Sequence, residues 1–311
     1  MTELERIDAF VRDLESVPDV VERAIDTGWM ADALRLATSR QFRFILLAGL
    51  GSSRFALMLA EDLFHTGFAR FIAEPANPDR RPPPSEELLT VAISASGRTR
   101  EAVELAEASR GPGRVIAITR DAGSPLAAAA DAVAVLPVDA ESSGVACTSF
   151  VATVVALFHL GLGLKGQGVG ERLGSVPDAT REVLASRDDW LPPALEALEG
   201  VEDIAVLAPW AQRGAAEQAA LHMRECPRRS AAAYETAEWL HTGIYTALPG
   251  SAVLLLDGST ADAEVEQVCL DRRVRLVRVP GPAGDGLTRS TAASLLAAEL
   301  WRRVTEPRAR R

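Results

Sequence analysis

The feature that most limits what this chain can fold into is a series of short, continuously apolar runs separated by helix-period stretches. FRFILLAG (residues 42–49), ARFIAEP (69–75), LLTVAIS (88–94), RVIAIT (114–119) and AVAVLPV (132–138) are each bounded by glycine, proline or serine. A strand with one wet face would alternate apolar and polar residues, and these runs do not. Each must be covered on both faces. Helical stretches between successive strands supply that cover, which predicts a parallel sheet sandwiched between helices. The proline-rich stretch 76–87 reads as a loop, and Ser124-Pro125 as a helix cap followed by proline in the first helical position.

The pattern recurs. IAVLAP (204–209) answers FILLAG (44–49), EVEQ (264–267) answers AVEL (102–105), and VRLVRV (274–279) answers RVIAIT (114–119), at an offset of about 160 residues. The sequence therefore predicts an α/β chain of two tandem doubly wound, flavodoxin-like parallel-sheet domains. They occupy residues 39–165 and 201–311. A helical segment (1–38, with Leu4, Ile7, Phe10, Val11 and Leu14 on one face) precedes them, and a glycine-rich then helical connection (166–200) joins them. The second domain ends in a basic tail, Arg308-Ala309-Arg310-Arg311. The second copy lacks the glycine and hydroxyl residues of the first: PWAQR stands where GLGSS stood, and LDGSTA where SASGRT stood.

Charge and cysteine usage narrow the function. Acidic residues outnumber basic ones 43 to 33, which disfavours nucleic acid as a partner. Cys147, Cys226 and Cys269 are isolated and show no metal-ligand spacing, as expected in a reducing compartment. The amphipathic acidic start MTELERIDAF is unlike a signal peptide, and the apolar run 150–164, which contains His159, is short for a bilayer span. The expectation is a cytoplasmic protein with no membrane partner, cofactor or metal.

In an open parallel sheet, ligands bind beyond the carboxyl ends of the strands. Two turns there are rich in small donors: Gly49-Leu50-Gly51-Ser52-Ser53 and Ser94-Ala95-Ser96-Gly97-Arg98-Thr99. Each opens a helix, where unpaired N–H groups and the helix dipole favour an anion. Two readings stay open for these hydroxyls, ordinary helix caps or a phosphate cradle. A dinucleotide fingerprint is not complete in GLGSSR, and no P-loop occurs. ESSGVACTSF (141–150) places Thr148 and Ser149 at the start of the apolar helix. In the second half, His222 and Glu225 share a helix face.

These pieces resemble the sugar isomerase (SIS) domain family. GLGSS, SASGRTREAV, RVIAITRDAGSPLAAAAD, ESSGVACTSF and AYETAEWLHTG occur in family order over about residues 40–300. The arrangement is similar to the isomerase half of glucosamine-6-phosphate synthase, to amino-sugar phosphate deaminase/isomerases and to fructosamine-phosphate deglycases. The resemblance implies a sugar phosphate bound between two SIS domains of a homodimer with shared active sites. It gives Ser52, Ser53, Ser94, Ser96, Thr99 and Thr148 to substrate and phosphate, with Gly97 allowing close approach. It makes Glu225 the group that moves a proton between C1 and C2, and His241 the ring-opening group, often from the neighbouring subunit. The implied activity is isomerisation, deamination or deglycation of a sugar phosphate or amino-sugar phosphate.

The chain departs from the synthase pattern at informative places. Ser149 and His222 stand where that pattern has lysines, and TEPRARR lacks a lysine-bearing tail. Two residues separate Glu141 from Gly144 instead of one, and Lys165 is the only lysine in the chain. No glutaminase domain or N-terminal cysteine is present in the sequence, so glutamine-dependent amination is not expected. The alternative consistent with the missing lysines is a sugar-phosphate sensor without catalysis.

Overall fold

The computed structural model describes residues 1–65, 69–77, 79, 83 and 85–309. Part of the proline-rich stretch 76–87 and the end of the basic tail, Arg310 and Arg311, lie outside the described residues. The chain divides into two compact units. One comprises residues 19–140 and 148–175. The other comprises residues 1–18, 141–147 and 176–311.

The first unit holds a five-stranded, fully parallel sheet. Its strands are β1 (Phe44–Gly49), β2 (Arg70–Pro75), β3 (Leu88–Ile93), β4 (Arg114–Thr119) and β5 (Ala132–Val135), in the order β2-β1-β3-β4-β5. All six residues of β3 are buried, as its uninterrupted apolar run requires. The helix Arg100–Ser109 lays Ala102, Leu105 and Ala106 against Leu46, Ala48, Ala92, Val115 and Ala117 of the sheet. Alanines at these facing positions let helix and sheet approach closely while Leu105 and Leu46 fill the gaps.

The helix Thr148–Gly163 is buried on nearly every side. Its Gly161 passes so close to the Glu61–Phe64 turn that an added Cβ would lie 2.6 Å from the Leu63 Cβ. His159 on this helix meets the carbonyl of Ala24 through Nε2 at 2.8 Å and stands edge-on to Trp29. Burial lowers its pKa, so it is held neutral with Nε2–H donating. Among the described residues no helix is long and apolar enough to cross a membrane.

The second unit holds a four-stranded parallel sheet of β6 (Asp203–Ala208), β7 (Ser230–Glu235), β8 (Ala252–Leu255) and β9 (Arg275–Arg278), in the order β7-β6-β8-β9. The edge strand β7, SAAAYE, carries no strand signal in sequence because its alanines are too small to mark a period. On one face of the sheet Leu207, Val253 and Leu255 pack with Trp239, Val265 and Cys269. The helix Arg213–Glu225 packs instead on β6, β7 and the long C-terminal helix Gly286–Ala309. The N-terminal helix Glu3–Glu15 joins this unit. It is opened by a capping box between Thr2 and Glu5, and Arg302 reaches it through an ion pair to Asp8 at 2.8 Å.

Candidate functional site

Strand order decides where the first unit presents its loops. From β1 the chain steps to one side to form β2, then returns across β1 to form β3. The loops after β1 and β3 therefore diverge over a crevice at the carboxyl edge, the standard ligand position in such sheets. These are the turns that hold Ser52, Ser53, Ser94, Ser96, Gly97 and Thr99.

The hydroxyls do not cap their helices. The helix Ser52–Ala60 has Gly51 as its N-cap, and the helix Arg100–Ser109 has Thr99, and neither receives a side-chain cap bond. Ser124 behaves differently: its Oγ accepts from Ala127 N, as the Ser-Pro pattern predicts. In the Ser94–Thr99 turn the hydroxyls bond to one another. Ser94 Oγ lies 2.9 Å from Thr99 Oγ1 and 3.4 Å from Ser96 Oγ, and Ser96 Oγ accepts from Arg98 N. Ser94 is 3 % exposed, while Ser96 and Thr99 are half-buried. Gly97, at φ +66°, turns the chain over this cluster, and its carbonyl accepts from Leu126 N at 3.1 Å. The Arg120 N and Thr119 Oγ1 donors stitch Ala95's carbonyl to the loop after β4. The result is a rigid turn of neutral donors at an uncapped helix start, suited to a doubly charged oxyanion.

Thr148 begins the helix Thr148–Gly163, which packs against the helix Ser52–Ala60 in the same unit; Thr148 and Ser149 are both buried. The segment just before it, Glu141–Cys147, belongs to the second unit. There Arg6 Nε donates to Ser143's carbonyl at 3.2 Å, and Gln218 Nε2 donates to Ala146's carbonyl at 2.9 Å.

Glu225 and His241 lie in the second unit, and the structure does not bring them together within one chain. Glu225 ends the helix that connects β6 to β7, and His241 follows the short helix Thr236–Trp239 on the way from β7 to β8. These two connections travel in opposite directions across the sheet. Right-handed crossovers then place them on opposite faces. Glu225 is exposed at the chain surface, yet the protein around its carboxyl displaces enough water to raise its pKa. Arg224 and Arg228 oppose that rise. His241 is exposed.

His222 has a different fate from Glu225, although both stand on one helix. It is fully buried, with Nδ1 2.8 Å from Ser294 Oγ and Nε2 2.7 Å from Gln218 Nε2. Ser294 Oγ donates onward to Ser290's carbonyl. Nε2 also lies 3.1 Å from Ala146's carbonyl, so both ring nitrogens face interior partners. Phe10 stands edge-on to the ring, and burial pushes the pKa down to about 4.

The second unit also has a turn matching Ser94–Thr99 in sequence, and it is already filled. Asp262 Oδ2 accepts from the backbone N–H of Gly258 at 2.7 Å and of Ser259 at 3.1 Å. In the first unit the corresponding turn uses hydroxyls instead, with Arg98 N donating to Ser96 Oγ and Thr99 N to Ser94 Oγ. Sequence comparison between the halves shows the missing hydroxyls, and the fold shows Asp262 bonding the turn in their place. Among the described residues no three His, Cys, Asp or Glu side chains gather where a metal ion would be held.

With the geometry in place, comparison with known proteins becomes informative. Residues 40–161 match the family described as "SIS domain". A glutamine–fructose-6-phosphate aminotransferase (isomerizing) of Aeropyrum pernix is 29% identical over 188 residues. The match covers 57% of this chain and 30% of that relative. Three solved structures share the fold across nearly the whole chain. Glucosamine-6-phosphate deaminase of Thermotoga maritima superposes with a TM-score of 0.78 at 19% identity, covering 95% of each chain. The C-terminal domain of glucosamine-fructose-6-phosphate aminotransferase of Francisella tularensis gives 0.77 at 16% identity, covering 96% of each. Tagatose-6-phosphate ketose/aldose isomerase of Escherichia coli gives 0.74 at 17% identity, covering 94% of this chain and 92% of the other.

Proposed function

Starting from the SIS-domain match at residues 40–161, we propose that this protein binds a sugar phosphate or amino-sugar phosphate and moves a proton between its C1 and C2, as an isomerase or deaminase. The observation that carries the reading is the Ser94–Thr99 turn, whose hydroxyls bond one another without capping the helix they precede. Such a turn is organised for an external anion. The phosphate ester would anchor the sugar and supply remote binding energy.

Glu225 is the proposed base. Desolvation raises its pKa, which makes the carboxylate a stronger proton acceptor. His241 is the proposed ring-opening group, an acid–base role that suits an imidazole. Because Glu225 and His241 lie on opposite faces of their sheet, a site that uses both draws His241 from a second copy. This supports a homodimer with shared sites.

The test is proton exchange with deuterated water, followed by NMR at C1 of fructose 6-phosphate and at C2 of glucosamine 6-phosphate and related aldose phosphates. Wild type should exchange at least one of them and Glu225→Gln should not. Equal exchange by Glu225→Gln rules out its role as base. The second reading, a sugar-phosphate sensor, is favoured by the burial and neutrality of His222 at a lysine position of the synthase pattern. Thermal stabilisation by a sugar phosphate with no proton exchange in any compound would select it.

A further inference from the structure

Abstracting a proton next to a carbonyl leaves a negative charge on oxygen, and a catalyst must meet that charge with a fixed donor. In the synthase pattern a lysine stands one turn before the carboxylate. Here that position is His222, whose two ring nitrogens are both engaged in the interior and whose buried ring stays neutral at pH 7. It has no free donor to offer an oxyanion.

Three arginines flank Glu225, and their partners separate them. Arg224 Nη1 donates to Ala231's carbonyl at 2.6 Å. Arg229 forms an ion pair with Glu202. Arg228 is exposed and has no hydrogen bond or ion pair among the described residues, although its charge acts on Glu225 and on Cys226. Its backbone sits at φ +61°, in the left-handed region, where Arg229 N closes the helix end onto Met223's carbonyl at 2.9 Å. Glycine would take that conformation without strain. Arg273 closes the helix Asp262–Arg272 in the same way, at φ +58°, with no candidate carboxylate of the site beside it. Left-handed geometry alone therefore marks nothing. What distinguishes Arg228 is an uncommitted guanidinium on the turn that carries the base.

We propose that Arg228 is a catalytic residue that donates hydrogen bonds to the oxygen made anionic when C2 loses its proton, taking the part that His222 has no means to play. The proposal rests on Glu225 as base. The C2 proton passes to Glu225, the C–H pair becomes the C1=C2 bond, and the carbonyl pair moves onto O1. Collapse of the enediol returns the proton from Glu225 to C1 while the O2 hydroxyl proton passes to O1.

Arg273 is the internal control. Full-length Arg228→Gly and Arg273→Gly both relieve a left-handed arginine, so neither should lower the melting temperature. Arg228→Gly should slow C2-proton exchange by about 100-fold, the usual cost of an oxyanion donor. Arg273→Gly should leave the rate unchanged. Arg228→Lys, which keeps a charge, should lose less than Arg228→Met, and added guanidinium ion should partly restore Arg228→Gly. Folded Arg228→Gly and Arg228→Met with exchange near the wild-type rate would overturn the role of Arg228 and leave Glu225 standing. No exchange by wild type on any sugar phosphate would overturn the proposed activity, and this inference with it.

Discussion

Gly97→Ala tests whether the hydroxyl turn is as tightly built as its bonds suggest. Gly97 lies at φ +66°, where alanine costs about 1–2 kcal/mol. An added Cβ would stand 2.1 Å from Ser124 Oγ, 2.3 Å from Ser124 Cβ and 2.8 Å from Thr119 Oγ1. Both neighbours are fully buried and have no room to withdraw. Displacing Ser124 removes the cap on Ala127 N, worth about 1 kcal/mol, and crowding a packed interior adds about 1–3 kcal/mol. The expected loss is about 4 kcal/mol, or about 10 °C in the melting temperature of a unit of this size. The assay is urea unfolding followed by circular dichroism, with and without fructose 6-phosphate. The variant should shift to lower urea, and stabilisation by the sugar phosphate should vanish because the turn no longer presents its donors. A loss below about 1 kcal/mol with ligand stabilisation intact would show that Gly97 is not locked between Ser124 and Thr119.

Two further outcomes follow from buried groups. His222 titrates near 6.5 when unfolded and near 4 when folded, so the unfolded chain binds an extra proton between those values. Its contribution is fully present above pH 6.5 and is lost as the pH falls toward 4, by about 3 kcal/mol in all. Urea midpoints measured across that range should fall with pH less steeply in His222→Gln than in wild type; parallel profiles would refute the burial of a neutral imidazole there. Cys147, Cys226 and Cys269 are all within 3 % of complete burial, and burial pushes the Cys226 thiol up to about 12 and Cys269 up to about 11. A thiol reagent at pH 8 should modify none of them until denaturant is added, and rapid native labelling would contradict the packing.

The alternation of apolar runs with helical stretches determined the fold class, because a continuously apolar strand leaves no choice but cover on both faces. The turns after β1 and β3 were legible too, since glycine and hydroxyl residues at a strand-to-helix junction have few structural uses. What sequence left open was whether those hydroxyls cap helices or face a ligand. The hydrogen bonds among Ser94, Ser96 and Thr99 remove the helix cap from that choice, and no spacing rule specifies them. Strand β7 was illegible because alanine packs equally well in strand and helix. The burial of His222 beside the exposed Glu225 was likewise beyond periodicity. Two residues on neighbouring positions of one helix face read alike, but Ser294 from a distant helix and Phe10 from the N-terminus close over only one of them. The separation of Glu225 from His241 was decided by topology alone. Sequence order is one-dimensional, whereas the hand of each crossover assigns a connection to a face of the sheet.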